Sequence, residues 1–240
     1  MRSPIILFLL LICHFNLFSQ SEQVIYNEDF EGAISSNINI NSTLEIDNSL
    51  ALGPISSEFF IFEGILPNHD SLIITFDLLI LHTWDGHGNS NGPDFFRIEI
   101  NNELVYNVTF SNISSEYGWS YDLNQSFPDQ FISENDIGYP AGTGAANYFN
   151  LPSEGGAGTM KYVINFDLPH NNNDLLLKMY SYDDESANSD ESFAIDNLVI
   201  SIPGLNLLGC TDDTACNYST EATEDDGSCE YIQEVDLGDD

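Results

Sequence analysis

The residues of this sequence best placed to do chemistry are carboxylates standing where carboxylates are costly. Asp196 interrupts an apolar, β-type run, Phe193-Ala194-Ile195-Asp196-Asn197-Leu198-Val199-Ile200. Strand interiors disfavour Asp. A buried carboxylate either finds a partner such as a cation or takes up a proton. A partner region exists early in the chain: Asn27-Glu28-Asp29-Phe30-Glu31-Gly32, an acidic turn after Val24-Ile25-Tyr26. These stretches are expected to meet as the first and last strands of one β-sandwich and to share a Ca²⁺. That ion takes about six to eight oxygen ligands from carboxylates, carbonyls and water. The plainer alternative is an exposed acidic turn and a hydrogen-bonded Asp.

Other groups invite weaker readings. Asp85 and Asp94 flank Asn89 and Asn91 in a polar, glycine-rich loop, a second set of oxygen donors for Ca²⁺. Asp212, Asp225 and Asp226 near the C-terminus are a third set, although such acidic runs are commonly solvated linkers. Trp84 and Trp119 lie in loops and could stack on sugar rings; loop aromatics more often anchor a core. His69, His82, His87 and His170 show no zinc-binding spacing. Glu45-Ile46-Asp47 resembles the start of the ExDxxE strand of concanavalin-like glucanases, but Leu50 occupies the third acidic position. No Gly-x-Ser-x-Gly elbow is present. The chain is therefore not expected to be an enzyme.

Positioning such groups requires strands. Leu72 to Leu81, Phe95 to Ile100, Leu104 to Phe110, Tyr162 to Phe166 and Leu175 to Tyr180 read as strands, with Gly and Pro between them. No helical period is sustained. Asn101-Asn102-Glu103 reads as a hairpin turn. In the Asp196 strand, Phe193 and Ile195 share one phase and Leu198 and Ile200 the other. This switch predicts a β-bulge at Asp196-Asn197, a device that re-aims side chains. Residues 111–160 carry weak strand signals, and short edge strands are expected there. The fold class is all-β: an antiparallel jelly-roll β-sandwich with a small, mostly irregular Cys-rich tail.

The chain has 240 residues, a formal net charge of −35 and only four basic residues. Such a surface repels nucleic acid and anionic lipid. Residues 1–19 read as a secretory signal peptide, too short in its apolar run for a membrane span, so no membrane insertion is expected. The sandwich is assigned to 20–203, a Cys-rich acidic repeat to 204–231, and a linker or the start of an Ig-like domain to 232–240. Cys210, Cys216 and Cys229 all lie in the tail. Their spacing lacks the close pairs of zinc knuckles. Export permits one disulfide among the three, and the odd count implies a free thiol, an intermolecular bond or a partner missing from this chain.

Asp29-Phe30-Glu31 together with Ala194-Ile195-Asp196-Asn197 resembles the opening and closing motifs of extracellular jelly-roll domains, whether MAM-type, laminin-G-like or carbohydrate-binding. Asp190 to Asn197 also resembles a "DESWGIDN" ending of secreted bacterial domains. The resemblance implies a structural Ca²⁺ held by Glu31 and Asp196. Cys210 to Tyr231 resembles a short repeat of marine Bacteroidetes surface proteins, with some likeness to thrombospondin type 3 repeats. Together these imply a secreted or cell-surface, Ca²⁺-stabilised, non-catalytic module for adhesion or carbohydrate binding, with an extracellular glycan or surface protein as partner. The alternatives are an accessory domain of a secreted hydrolase whose catalytic part lies outside this chain, and a structural spacer.

Overall fold

The computed structural model describes residues 22–56, 58–87, 93–133, 138–149, 158–182, 191–204, 208–220 and 222–231. The expected signal peptide and residues 232–240 lie outside them. In chain order the strands are β1 (Glu22–Glu28), β2 (Thr43–Ile46), β3 (Ser49–Ile55), β4 (Phe60–Ile65), β5 (Ser71–His82), β6 (Phe95–Ile100) and β7 (Glu103–Thr109). After a 3₁₀ turn (Ser115–Tyr117) come β8 (Asn124–Gln125), β9 (Tyr139–Pro140), β10 (Asn147–Phe149), β11 (Thr159–Pro169), β12 (Asp174–Tyr182) and β13 (Glu191–Pro203). The tail adds β14 (Leu208–Gly209) and β15 (Glu224–Asp225). Among the described residues, no helix is long and apolar enough to cross a membrane.

Residues 22–203 form one compact unit. Its two main antiparallel sheets are a larger one ordered β10-β11-β5-β13-β3-β2, with β1 also on β13, and a smaller one ordered β4-β12-β6-β7; β8 and β9 pair as a separate two-stranded ribbon. Alternation along the strands decides what fills the space between them. Phe76 and Ile80 of β5, Phe96 and Ile98 of β6, Leu177 and Met179 of β12, and Phe193 and Ile195 of β13 are all buried in one apolar cluster. Phe96 sits edge-on to Phe193 at 5.2 Å and tilted to Phe76 at 6.2 Å, so the sheets interlock through aromatic pairs. At a rough 1.5–3 kcal/mol per buried large apolar side chain, this cluster is the main source of stability.

The hairpin between β6 and β7 turns on Asn101 (φ 52) and Asn102 (φ 68), the two left-handed residues that match strand twist. Asp47 (φ 54) and Asn48 (φ 65) do the same between β2 and β3, which places Asp47 in a turn rather than along a catalytic strand. The long segment after β7 carries the short edge strands expected, and one side chain pins it. Gln125 is fully buried. Its Oε1 accepts from Ser111 N (3.2 Å), Gly142 N (3.0 Å) and Tyr162 Oη (3.2 Å), and its Nε2 donates to Phe127 O (3.2 Å) and Thr143 O (3.0 Å). At Gly86 (φ 66) a Cβ would fall 1.9 Å from Asn124 O, so the loop packs there only as glycine.

The tail unit is held by a Cys210–Cys229 disulfide and the parallel β14–β15 pair. Cys216 is a free, exposed thiol.

Candidate metal centre

β13 is the central strand of the candidate site because it changes partners along one edge. β3 pairs with Phe193 and Ile195; β1 pairs from Leu198 to Pro203. Asp196-Asn197 falls between these two pairings. On the opposite edge the register with β5 slips between Asp196 and Val199, with Asn197 left-handed at φ 52. This is the bulge the phase switch predicts. It keeps Phe193, Ile195, Leu198 and Ile200 all in the core, while Asp196 follows Ala194 to the outer face of the sheet.

The turn after β1 carries Glu31 to this gap. Phe30 is fully buried at φ 57 and anchors the turn; Asp29 Oδ1 accepts from Glu31 N at 3.2 Å. Glu31 Oε1 accepts from Leu50 N (2.8 Å) and from Ser49 Oγ (2.8 Å). The same Ser49 Oγ lies 3.3 Å from Asp196 Oδ2. One hydroxyl proton thus stands between two carboxylates and can serve only one of them at a time. The remaining Asp196 oxygen, Oδ1, accepts from Asn197 N at 2.7 Å. The structure therefore brings Glu31 and Asp196 together, as expected from the sequence.

Two residues that sequence reasoning passed over complete the surroundings. Asp77 on β5 lies directly opposite Asp196, an arrangement that is unfavourable for like charges. Lys161 on β11 answers it, with Nζ 2.6 Å from Asp77 Oδ2, and Asn197 Nδ2 donates to the same oxygen at 2.9 Å. The available signal was the carboxylate of Asp77 inside the apolar run 72–81, the same signal that marked Asp196. Burial raises the Asp196 pKa above its ordinary 3.8, and the charge of Asp77 adds to this; the Asn197 N–H, Ser49 hydroxyl and Lys161 oppose it. Asp77 and Asp196 thus share the charge of a single ammonium, Lys161. A cavity of about 140 Å³ opens beside Asp196, lined among others by Asp47, Ser49, Phe149, Lys161 and Asn197.

Among the described residues, no three His, Cys, Asp or Glu side chains are grouped to hold a metal by themselves. The donor set at Glu31 and Asp196 is two carboxylates and a hydroxyl. All are oxygens, as a hard cation requires, and the other ligands must be carbonyls or water.

The other expected residues sit elsewhere. Asp94 is buried and accepts from Asp85 N through Oδ2, while its own N donates to Gly86 O at 3.0 Å. It thereby holds the loop backbone; Asn89 and Asn91 lie outside the described residues. In the tail, Asp212 Oδ1 accepts from Thr214 N (2.9 Å) and Oγ1 (2.7 Å), and Oδ2 accepts from Tyr231 Oη (2.6 Å). Asp225 and Asp226 accept from Gly227 N (3.3 Å) and Ser228 N (2.9 Å). Each of these acids caps its own turn.

The expectation for Trp84 is corrected. Its ring is fully buried, and Nε1 donates to Leu81 O and Ser192 O, both at 3.0 Å. No face of it is left for a sugar; it is a core anchor. Trp119 is half-buried and edge-on to the exposed Tyr121 at 6.1 Å.

No protein-family profile matches the sequence, and no curated protein matches it. Among solved structures, the chain is similar to dimeric latent PorU from Porphyromonas gingivalis, with 12% identity and a TM-score of 0.38. The match covers 75% of this chain and 12% of that one. It is also similar to a Paenibacillus cycloisomaltooligosaccharide glucanotransferase complexed with cycloisomaltoheptaose, with 11% identity and a TM-score of 0.31. That match covers 72% of this chain and 18% of the other.

Proposed function

We propose that this chain is an exported, Ca²⁺-stabilised β-sandwich module for adhesion or carbohydrate binding within a larger secreted or surface protein. Glu31 and Asp196 are its charged Ca²⁺ ligands. The observation that carries this reading is the Ser49 hydroxyl shared between the carboxylate after the first strand and the buried carboxylate of the last. The bound ion supplies positive charge between Glu31 and Asp196, where Ser49 offers both a single hydroxyl proton. Asp196 provides the carboxylate already shielded from water, and Glu31 the exposed one that closes over it. Ser49 and Leu50 hold Glu31 in place, and Lys161 with Asn197 keeps Asp77 neutralised beside it.

A binding role also accords with how these acids are engaged. Each carboxylate of the site is tied to protein donors, whereas a general acid or base must exchange its proton with a substrate. The tail disulfide accords with an oxidising compartment. Of the two tryptophans, Trp119, with Tyr121, is the contact we assign to an extracellular glycan or surface-protein partner. Retention on a glycan array that falls on Trp119→Ala tests that assignment.

The metal reading is tested by calorimetric titration of Ca²⁺ into the protein and into Asp196→Ala. The variant is expected to bind at least about tenfold more weakly, the loss of one charged ligand to a hard cation. Equal Ca²⁺ affinity in both overturns the reading. Mg²⁺ is expected to substitute poorly because it demands a tighter octahedral shell.

A further inference from the structure

We propose that His69 and His170 form a proton-sensitive clasp that holds three chain segments together at neutral pH and releases them on acidification. The two histidines are 101 residues apart in sequence. Their rings lie edge to edge, 23° from coplanar with centroids 4.9 Å apart, and His69 Nε2 lies 2.6 Å from His170 Nδ1. His69 Nδ1 lies 2.7 Å from Pro67 O, and His170 Nε2 lies 3.1 Å from Asn101 Nδ2. The clasp thus joins the β4–β5 connection, the β11–β12 connection and the β6–β7 hairpin.

The proton positions follow from the partners. Asn101 Oδ1 accepts from Leu176 N (2.8 Å), and its Nδ2 donates to Asp174 O (3.0 Å), so its amide faces His170 with an N–H. His170 Nε2 is then an acceptor, and its single proton sits on Nδ1. That proton is donated to His69 Nε2, so His69 carries its own proton on Nδ1 and donates it to Pro67 O. The chain Asn101 → His170 → His69 → Pro67 closes only when both rings are neutral. A proton added at His170 Nε2 faces the Asn101 N–H. A proton added at His69 Nε2 faces the His170 N–H. Either addition sets donor against donor and breaks one bond of the chain.

Among the described residues, no carboxylate hydrogen-bonds either ring. Charged groups on the packed elements include Asp70, Asp167, Asp174, Arg97, Glu99, Glu103 and Lys178, with Lys178 Nζ 3.9 Å from Glu99 Oε2. The Asp70 carbonyl accepts from His170 N (3.1 Å), Glu103 lines the same cleft as His170, and Lys178 Nζ donates to Asn102 Oδ1 (2.7 Å). Burial, and then the neighbouring His69, lower the His170 pKa below its ordinary 6.5. The unfolded chain therefore takes up this proton first. The clasp's stabilisation is complete above pH 6.5 and is lost as pH falls below it. His170 also lines a cleft of about 520 Å³ between the β6–β7 hairpin and the β11–β12 connection, which release of the clasp would widen.

The test uses the whole chain in chelator, so that Ca²⁺ plays no part. Imidazole ¹⁵N NMR at pH 7.5 should find both rings protonated at Nδ1, with the His170 Nε2 signal staying in its unprotonated range below pH 6.5. The melting temperature of the wild type relative to His170→Gln, which cannot titrate, should fall by about 2–4 °C between pH 7.5 and 5. That is the effect of about a fivefold loss in the folding equilibrium for a chain of this size. If His170→Gln does not fold, the NMR titration decides alone. An Nε2–H tautomer on either ring at pH 7.5, or a relative melting temperature that does not move with pH, overturns the proposal.

Discussion

Asp196 and Asp212 are the same residue type in two regions of one acidic chain, and their environments act on them in opposite directions. Asp196 is 7% exposed on a central strand, and burial raises its pKa. Asp212 is in the tail, where the Tyr231 hydroxyl first, then Thr214, lowers its pKa. Asp226 behaves like Asp212, lowered by the Ser228 hydroxyl and N–H. The difference teaches where a cation has work to do. A carboxylate surrounded by donors in water is already stabilised as an anion. A carboxylate held in an apolar strand opposite another one is not. The densest acidic stretch of the sequence is therefore a weaker metal candidate than a single Asp inside an apolar run.

The largest separate effect is expected in the tail. Cys210→Ser opens a disulfide that spans 19 residues and should cost the tail about 3 kcal/mol. Loss of amide chemical-shift dispersion for residues 208–231, with that of the sandwich unchanged, is the expected NMR result. Next comes the sandwich site. Lys161→Met removes the ammonium that balances Asp77 and leaves two carboxylates opposed across β5 and β13. Because the pair is partly exposed, at 28% and 12%, the expected cost at pH 7 without divalent cation is about 2–3 kcal/mol by urea unfolding, below that of a fully buried pair.

A smaller effect sharpens the contrast between the two Asp environments. In chelator, the stability that Asp196 allows is fully present below its ordinary pKa of 3.8. It is lost as pH rises through the raised folded value, because ionisation is disfavoured in the fold. Asp196→Asn should flatten this fall. Asp212 has the opposite sign: its contribution is present above pH 3.8 and is lost as pH falls through the lowered folded value. The smallest expected change is spectroscopic. Asp212 raises the Tyr231 pKa from its ordinary 10.0 by accepting its hydroxyl proton. Asp212→Asn should return that tyrosine towards 10.0 in an ultraviolet titration.

Much of this arrangement was legible in the sequence, because period and turn chemistry are local. The Phe193/Ile195 to Leu198/Ile200 phase switch located the bulge, and Asn101-Asn102 located a hairpin. Asp196 announced itself by being charged within an apolar run. The same run-based signal was present at Asp77, but its meaning depended on Lys161, 84 residues away, and strand pairing over such distances leaves no local trace. Trp84 was ambiguous for a related reason. A tryptophan in a polar loop reads the same whether its ring faces solvent or turns under the loop, and only the two carbonyls that receive its N–H decide. The histidine clasp leaves no local trace at all, because its two members stand 101 residues apart and only strand pairing brings them together.

The central claim is that one cation joins the turn after the first strand to the bulge of the last. Its most direct test is thermal unfolding of the full chain in chelator and in millimolar Ca²⁺, for the wild type, Glu31→Gln, Asp196→Asn, and a control with Asp212, Asp225 and Asp226 all changed to Asn. Binding to the folded state raises its stability by mass action, about 2.7 kcal/mol at a hundredfold excess over Kd. The account predicts a Ca²⁺-dependent rise in Tm for the wild type and for the tail control, and a much reduced rise for Glu31→Gln and Asp196→Asn. Identical wild-type melting in chelator and Ca²⁺, or a rise that survives both site substitutions and vanishes in the tail control, would contradict it.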